Sequence, residues 1–115
     1  MVIQKFEDII AWQKSKQITI SIYREFKFNK DFSFKDQIQR ASVSIMNNIA
    51  EGFERRGDKE LKKFLFIVKG SCGEVRSMLY LALELEYIDK IKFNIFYNDS
   101  LEISKMLSGF IKKLN

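Results

Sequence analysis

Cys72 is the single thiol in a chain of 115 residues that contains no histidine, so any search for chemistry starts there. A nucleophilic cysteine needs a base or a cationic, polar setting to hold it as thiolate. Cys72 instead falls on an apolar helical seam, which predicts a small buried hydrophobe. The carboxylate pairs Glu84 with Glu86 and Glu51 with Glu54 lack the Glu-x-x-His partner of di-iron bundles, which a chain without histidine cannot supply. The sequence therefore predicts no catalytic residue, no metal site and no cofactor.

Three further motifs invite a functional reading. Gly70, Ser71, Cys72 and Gly73 form a GxxG like the phosphate clamp of KH domains, but that loop needs strands around it. Inside a helix, two such glycines predict close backbone approach of a neighbour, against a propensity cost of about 1 kcal/mol each. Arg56, Gly57 and Asp58 spell an adhesion tripeptide, yet a helix-helix turn accounts for the Gly and Asp. The third motif is Arg55, Arg56, Lys59, Lys62 and Lys63, five cations against Glu54, Asp58 and Glu60. Gathered at one end of a helical domain they could grip phosphates; a solvated turn laced by i,i+4 pairs is the equal alternative. Lys14, Lys16, Arg24 and Lys69 are secondary candidates.

The elements that must position these residues are helices. Leu61, Leu65, Val68, Cys72, Val75, Leu79 and Ala82 recur in steps of four and three, and the seam runs out at the charged Glu86. Phe34, Ile38, Ala41, Ile45, Ile49 and Phe53 keep that period, with Ser33 and Asp36 resembling a capping box. Ala11, Ser15, Ile18, Ile22 and Phe26 make a third stripe, and Phe93, Phe96, Ile103, Met106, Leu107, Phe110, Ile111 and Leu114 a fourth. Helices are predicted over residues 8–27, 34–56, 59–86 and 92–114, with Asp58 capping the third. Short connections force an antiparallel, up-down-up-down four-helix bundle, all-α, forming one domain over residues 1–115.

Apolar residues make up 46% and charged residues 30%, too much apolar content for a disordered tail. Twenty basic against fifteen acidic residues give a net charge of +5, a modest bias toward polyanionic partners. The start of the chain carries charges rather than an apolar signal core, and no apolar run approaches the roughly 20 residues of a membrane span. The expected setting is a reducing cytoplasm. Ile9, Ile10, Trp12 and Ile20 on the first helix, with Phe64, Phe66, Ile67, Leu81 and Leu85 on the third, exceed what one small core needs. They predict homo-oligomerisation, with scattered exposed hydrophobes as the plain alternative.

Three segments carry a resemblance: FEDIIAWQKS (6–15), QIQRASVSIMNNIAEG (37–52) and KFLFIVKGSCGEVRSML (63–79). They are similar to the bacterial four helix bundle proteins. That group includes proteins encoded in intervening sequences of 23S ribosomal RNA genes and, more distantly, the accessory variability determinant of diversity-generating retroelements. The resemblance implies a bundle that assembles as a homopentamer, has no known enzymatic activity and binds nucleic acid. In the retroelement branch it implies action with a reverse transcriptase and a structured RNA. Gln37, Arg40, Ser44, Asn48, Glu51 and Gly52 match the motif of the second helix, and Gly70, Ser71 and Glu74 that of the third. They resemble fold and assembly determinants, and Arg40, Asn47, Asn48 and Glu51 are expected in an interhelix or intersubunit network. The chain departs from the family at Gln39, where a second Arg is common, and at Met46, where a Pro is frequent; the second change predicts a straighter helix. The combined expectation is a non-enzymatic oligomer binding RNA or DNA backbone, with a protein-interaction scaffold as the alternative.

Overall fold

In the computed structural model, which describes residues 3–115, the apolar seams become four helices around one core. A single 3₁₀ turn at Phe6–Asp8 leads into α1 (Ile10–Glu25), followed by α2 (Phe32–Glu54), α3 (Asp58–Glu84) and α4 (Lys90–Lys112). Each helix packs on the next, and α1 closes against α4, giving an antiparallel bundle with extents of 43 × 21 × 19 Å. Among the described residues there is no strand.

Burial follows the predicted period. On α3 all seven seam residues from Leu61 to Ala82 are buried, and so are Phe34, Ile38, Ala41, Ile45 and Ile49 on α2. Ile18, Ile22 and Phe26 meet Ile103 and Leu107 in the same cluster. Hydroxyls stitch the consecutive helices inside this apolar frame. Thr19 donates to the Ser42 carbonyl at 3.1 Å, Ser44 and Ser71 share a hydrogen bond of 2.9 Å, and Ser100 donates to the Cys72 carbonyl at 3.2 Å. Buried polar groups must be paired in this way. The α1–α4 closure relies on ion pairs instead, Lys14 with Glu102 at 2.9 Å and Lys92 with Glu25 at 3.2 Å.

The helix boundaries depart from the sequence expectation at each cap. The first helix starts at Ile10 rather than residue 8, because Ile9 is extended (ψ 118°) and buried, separating α1 from the 3₁₀ turn. It ends at Glu25, where Phe26 leaves the helix and packs on Phe34 with ring centroids 5.0 Å apart. The cap of α2 is Asp31, whose carboxylate accepts from the Phe34 amide at 3.1 Å, so the proposed Ser33–Asp36 box does not form. Asp36 pairs with Arg40 and Ser33 accepts from Gln37. Gly57, with no side chain to offer, occupies the cap position of α3, and Asp58 is its first helical residue. Asp89 caps α4 through the Lys92 amide at 2.8 Å, starting that helix two residues early. The α2 helix runs uninterrupted through Met46.

Among the described residues, two that are not glycine hold left-handed backbone, Arg56 (φ 59°) and Glu86 (φ 62°). Each follows a helix end: α2 closes before Arg56, and α3 closes before Glu86 with the Tyr87 amide bonded back to the Ala82 carbonyl. Gly57 itself is extended (φ −163°), a conformation any residue adopts.

Candidate nucleic-acid interface

The five cations singled out from the sequence do meet at one end of the bundle, around the α2–α3 turn, but they are not equivalent. Arg55 pairs with Glu51 at 3.0 Å and with Glu60 at 3.7 Å, and its guanidinium lies 5.3 Å from the Phe64 ring centre. Lys63 pairs with Glu60 at 3.6 Å. Arg55 and Lys63 thus belong to a charge-paired web, as in the solvated-turn alternative. Arg56, Lys59 and Lys62 make no ion pair among the described residues. Arg56 and Lys59 are exposed and Lys62 half-buried.

Of the family-motif residues, Gly52, Ser44 and Ser71 make contacts between helices. Gly52 is the glycine that permits close approach: a Cβ there would lie 2.6 Å from the Phe64 Cβ and 3.2 Å from Leu61. Gly70 and Gly73, expected to fill that role, do not. Nothing lies within 4 Å of a Cβ at Gly70, and at Gly73 only the Arg76 guanidinium comes near, at 3.8 Å. Gln37 and Arg40 bond within α2, to Ser33 and Asp36, while Glu51 is linked to Glu60 of α3 through Arg55 and Ser44 meets Ser71 directly. Asn48 supports that last contact by donating to the Ser44 carbonyl and hydroxyl, both at 2.9 Å. Glu74 and Asn47 are exposed.

Cys72 is fully buried, and burial pushes its thiol up to about 11, against the smaller pull of Arg76 and Lys69. A thiol kept neutral in this way is a poor nucleophile. Among the described residues no three or more Cys, Asp or Glu come together as metal ligands. The α1–α4 side carries a small cleft of about 160 Å³ lined by Lys14, Gln17, Ser21, Asp99 and Glu102. There burial raises the Asp99 carboxyl, helped by Glu102 and opposed by Lys14.

The secondary candidates separate by partner. Lys14 is held by Glu102, Lys16 lies over Trp12 at 5.7 Å, and Arg24 is exposed beside a shallow cleft with Glu25 and Lys92. Lys69 reaches across to α4 and donates to the Ser108 hydroxyl at 2.8 Å. Arg76, which the sequence reading passed over, does the same with Ser100 at 3.2 Å. The signal that finds it is the seven-residue spacing Lys62, Lys69, Arg76, one stripe of α3.

Comparison with known proteins agrees with this architecture. No curated protein matches the chain. A crystal structure of a protein with unknown function from the S23 ribosomal protein family, from Bacteroides thetaiotaomicron VPI-5482, superposes with a TM-score of 0.84 at 29% sequence identity. The match covers 90% of this chain and 100% of that one. The family model for the 23S rRNA-intervening sequence protein matches residues 7–109, taking in the α2 motif, the basic turn and nearly all of α4. A bundle with these motifs, matched over that span, belongs to the 23S rRNA-intervening sequence protein family.

Proposed function

We propose that the protein is a non-enzymatic homo-oligomer, a pentamer as its resemblance implies, that holds RNA or DNA backbone on the α2–α3 turn. The observation that carries this reading is Arg56: it makes no ion pair among the described residues and occupies a left-handed backbone position that glycine would fill at lower cost. Such a conformation costs a non-glycine residue roughly 1–2 kcal/mol. A cation kept there, beside unpaired Lys59 and Lys62, fits a site that needs charge at the apex of the turn. A ring of subunits would repeat the patch by symmetry. Assembly is supported by the bare outer surface of Gly70, flanked on α3 by exposed Phe66 and Ile67.

The test is light scattering to fix the oligomeric state, followed by anisotropy titrations of structured RNA and duplex DNA across a salt series. Three cations engaging phosphate predict a log-log salt slope near −2.7 per site on duplex, at about −0.9 per contact. Arg56→Glu with Lys59→Glu should weaken all sequences alike. The scaffold reading is favoured by Phe28 and Phe32, 85% and 69% exposed at the opposite end. A well-formed oligomer that binds neither nucleic acid at low salt would select it.

A further inference from the structure

The stripe Lys62, Lys69 and Arg76 leads away from the turn along the α3–α4 groove, and two of its three cations are held by neutral groups. Lys69 donates to Ser108 and Arg76 to Ser100, hydroxyls that fix the side chains without cancelling their charge. None of the three makes an ion pair among the described residues. The acids of α4, Asp99 and Glu102, line the cleft against α1 rather than this groove. On α3 the nearest acids in sequence on that stripe stand at its two ends, Asp58 one turn before Lys62 and Glu84 one turn after Tyr80. Asp58 accepts from the Asn115 backbone amide at 3.2 Å. At about 1.5 Å per residue the row spans roughly 21 Å.

One turn beyond Arg76 stands Tyr80, 53% exposed. Its ring is braced by Phe93 at 5.1 Å and by Tyr97 at 5.7 Å, so an exposed aromatic ring is held in place by its neighbours. Between Lys69 and Arg76 the stripe passes Gly73, where no side chain rises from the groove floor. Preorganised cations with an aromatic at the end of their row are the ingredients of single-strand binding, in which a groove tracks the backbone and a ring stacks a base.

We infer that single-stranded nucleic acid lies along the α3–α4 groove, its phosphates on Lys62, Lys69 and Arg76 and one base against Tyr80. This rests on the nucleic-acid reading above and specifies its ligand. A single straight row of charges follows one backbone, whereas a duplex offers phosphates on two strands separated by a groove of about 12 Å.

The experiment is an anisotropy titration of a labelled 12-nucleotide oligo(dT), its RNA counterpart and a 12-base-pair duplex. For the double variant Lys69→Gln with Arg76→Gln, single-strand affinity should fall about thirtyfold and the salt slope should shrink by about 1.4, at roughly 0.7 per lost phosphate contact. Tyr80→Leu should lower single-strand affinity about tenfold with the slope unchanged, the signature of lost stacking. Arg76→Lys should keep the slope. If melting shows the double variant unfolded, Tyr80→Leu alone decides. Parent-like single-strand binding by both variants, with loss only in Arg56→Glu with Lys59→Glu, would overturn the groove while leaving the turn reading intact. Equal loss on duplex would overturn the single-strand assignment, and no binding by the parent would remove both readings.

Discussion

At the end of the bundle where α2 turns into α3, packing holds the helices together and charge is left over. Gly52 lets α2 approach α3 until a Cβ would clash with Phe64, and the Arg55–Glu51–Glu60–Lys63 web lies on top of that contact. Arg56, Lys59 and Lys62 remain without ion pairs among the described residues. At the other end, where α1 turns into α2 and α3 into α4, a polar clamp sits on the buried Phe26–Phe34 pair. Asp31 caps α2 and accepts from the Tyr87 hydroxyl at 2.6 Å, while Tyr87 packs edge-on against Phe34 and Lys92 reaches Glu25. Lys27 and Lys35 there lie over Phe28 and Phe32, each at 5.4 Å. The difference lies in how the helices are held, by close backbone approach at Gly52 on one end and by a hydrogen-bonded aromatic cluster on the other.

The largest effect should come from breaking the packed end. Alanine is the better helix former by about 1 kcal/mol, yet Gly52→Ala should destabilise the protein by about 2 kcal/mol, because the new methyl meets the Phe64 Cβ close to the backbone and the helices must separate. Urea unfolding measures it. A neutral or stabilising result would show that α2 and α3 separate freely and that this end is not held by packing.

The two left-handed residues sharpen the comparison on a smaller scale. Arg56→Gly and Glu86→Gly should each stabilise by about 1 kcal/mol, since glycine adopts positive φ without the steric penalty, less its larger unfolded-state entropy. Their functional effects should differ. Arg56→Gly should weaken nucleic-acid binding at the basic end, and Glu86→Gly should leave it unchanged. Equal binding by the two variants would mean that Arg56 occupies its strained position for no reason of charge.

Much of this contrast was legible in the sequence. The four seams were, because apolar period alone determines which face of a helix is buried, and every predicted seam residue of α3 from Leu61 to Ala82 lies inside. The caps were not. Ser33 and Asp36 have the spacing of a capping box, but Asp31 begins the helix two residues earlier and is held there by Tyr87, 56 positions away in the chain. Neutralisation of Arg55 was equally hidden, because Glu51 and Glu60 reach it from two different helices across the turn. Gly70 misled for a related reason: a helical glycine marks close approach only on a face that has a neighbour, and within this chain the neighbour is at Gly52. Arg76 stood alone in the local sequence, and only its heptad relation to Lys62 and Lys69 identifies it.

The smallest effect should be that of the polar clamp, and it should depend on pH. Hydrogen bonding to Tyr87, then to the Phe34 amide, holds the Asp31 carboxyl below its ordinary value of 3.8. The same bond to Asp31 raises the Tyr87 phenol above its ordinary value of 10.0. A depressed carboxyl contributes stability that is present above its unfolded value and lost as pH falls through the folded one. A raised phenol contributes stability that is present below its unfolded value and lost as pH rises through the folded one. The bond therefore stabilises between about pH 4 and pH 10 and fades on both sides. Tyr87→Phe should lower the melting temperature slightly at pH 7, and the gap to the parent should close as pH drops below the Asp31 titration. Asp31→Asn should flatten the acid limb further, because it also removes the charged cap of α2. Thermal melts from pH 2 to 8 decide the point: a gap constant across that range would show that the hydroxyl contributes without the Asp31 charge, and no gap at any pH would assign the Tyr87 contribution to its ring against Phe34 rather than to its hydroxyl. In that last case both ends of the bundle would be held by packing.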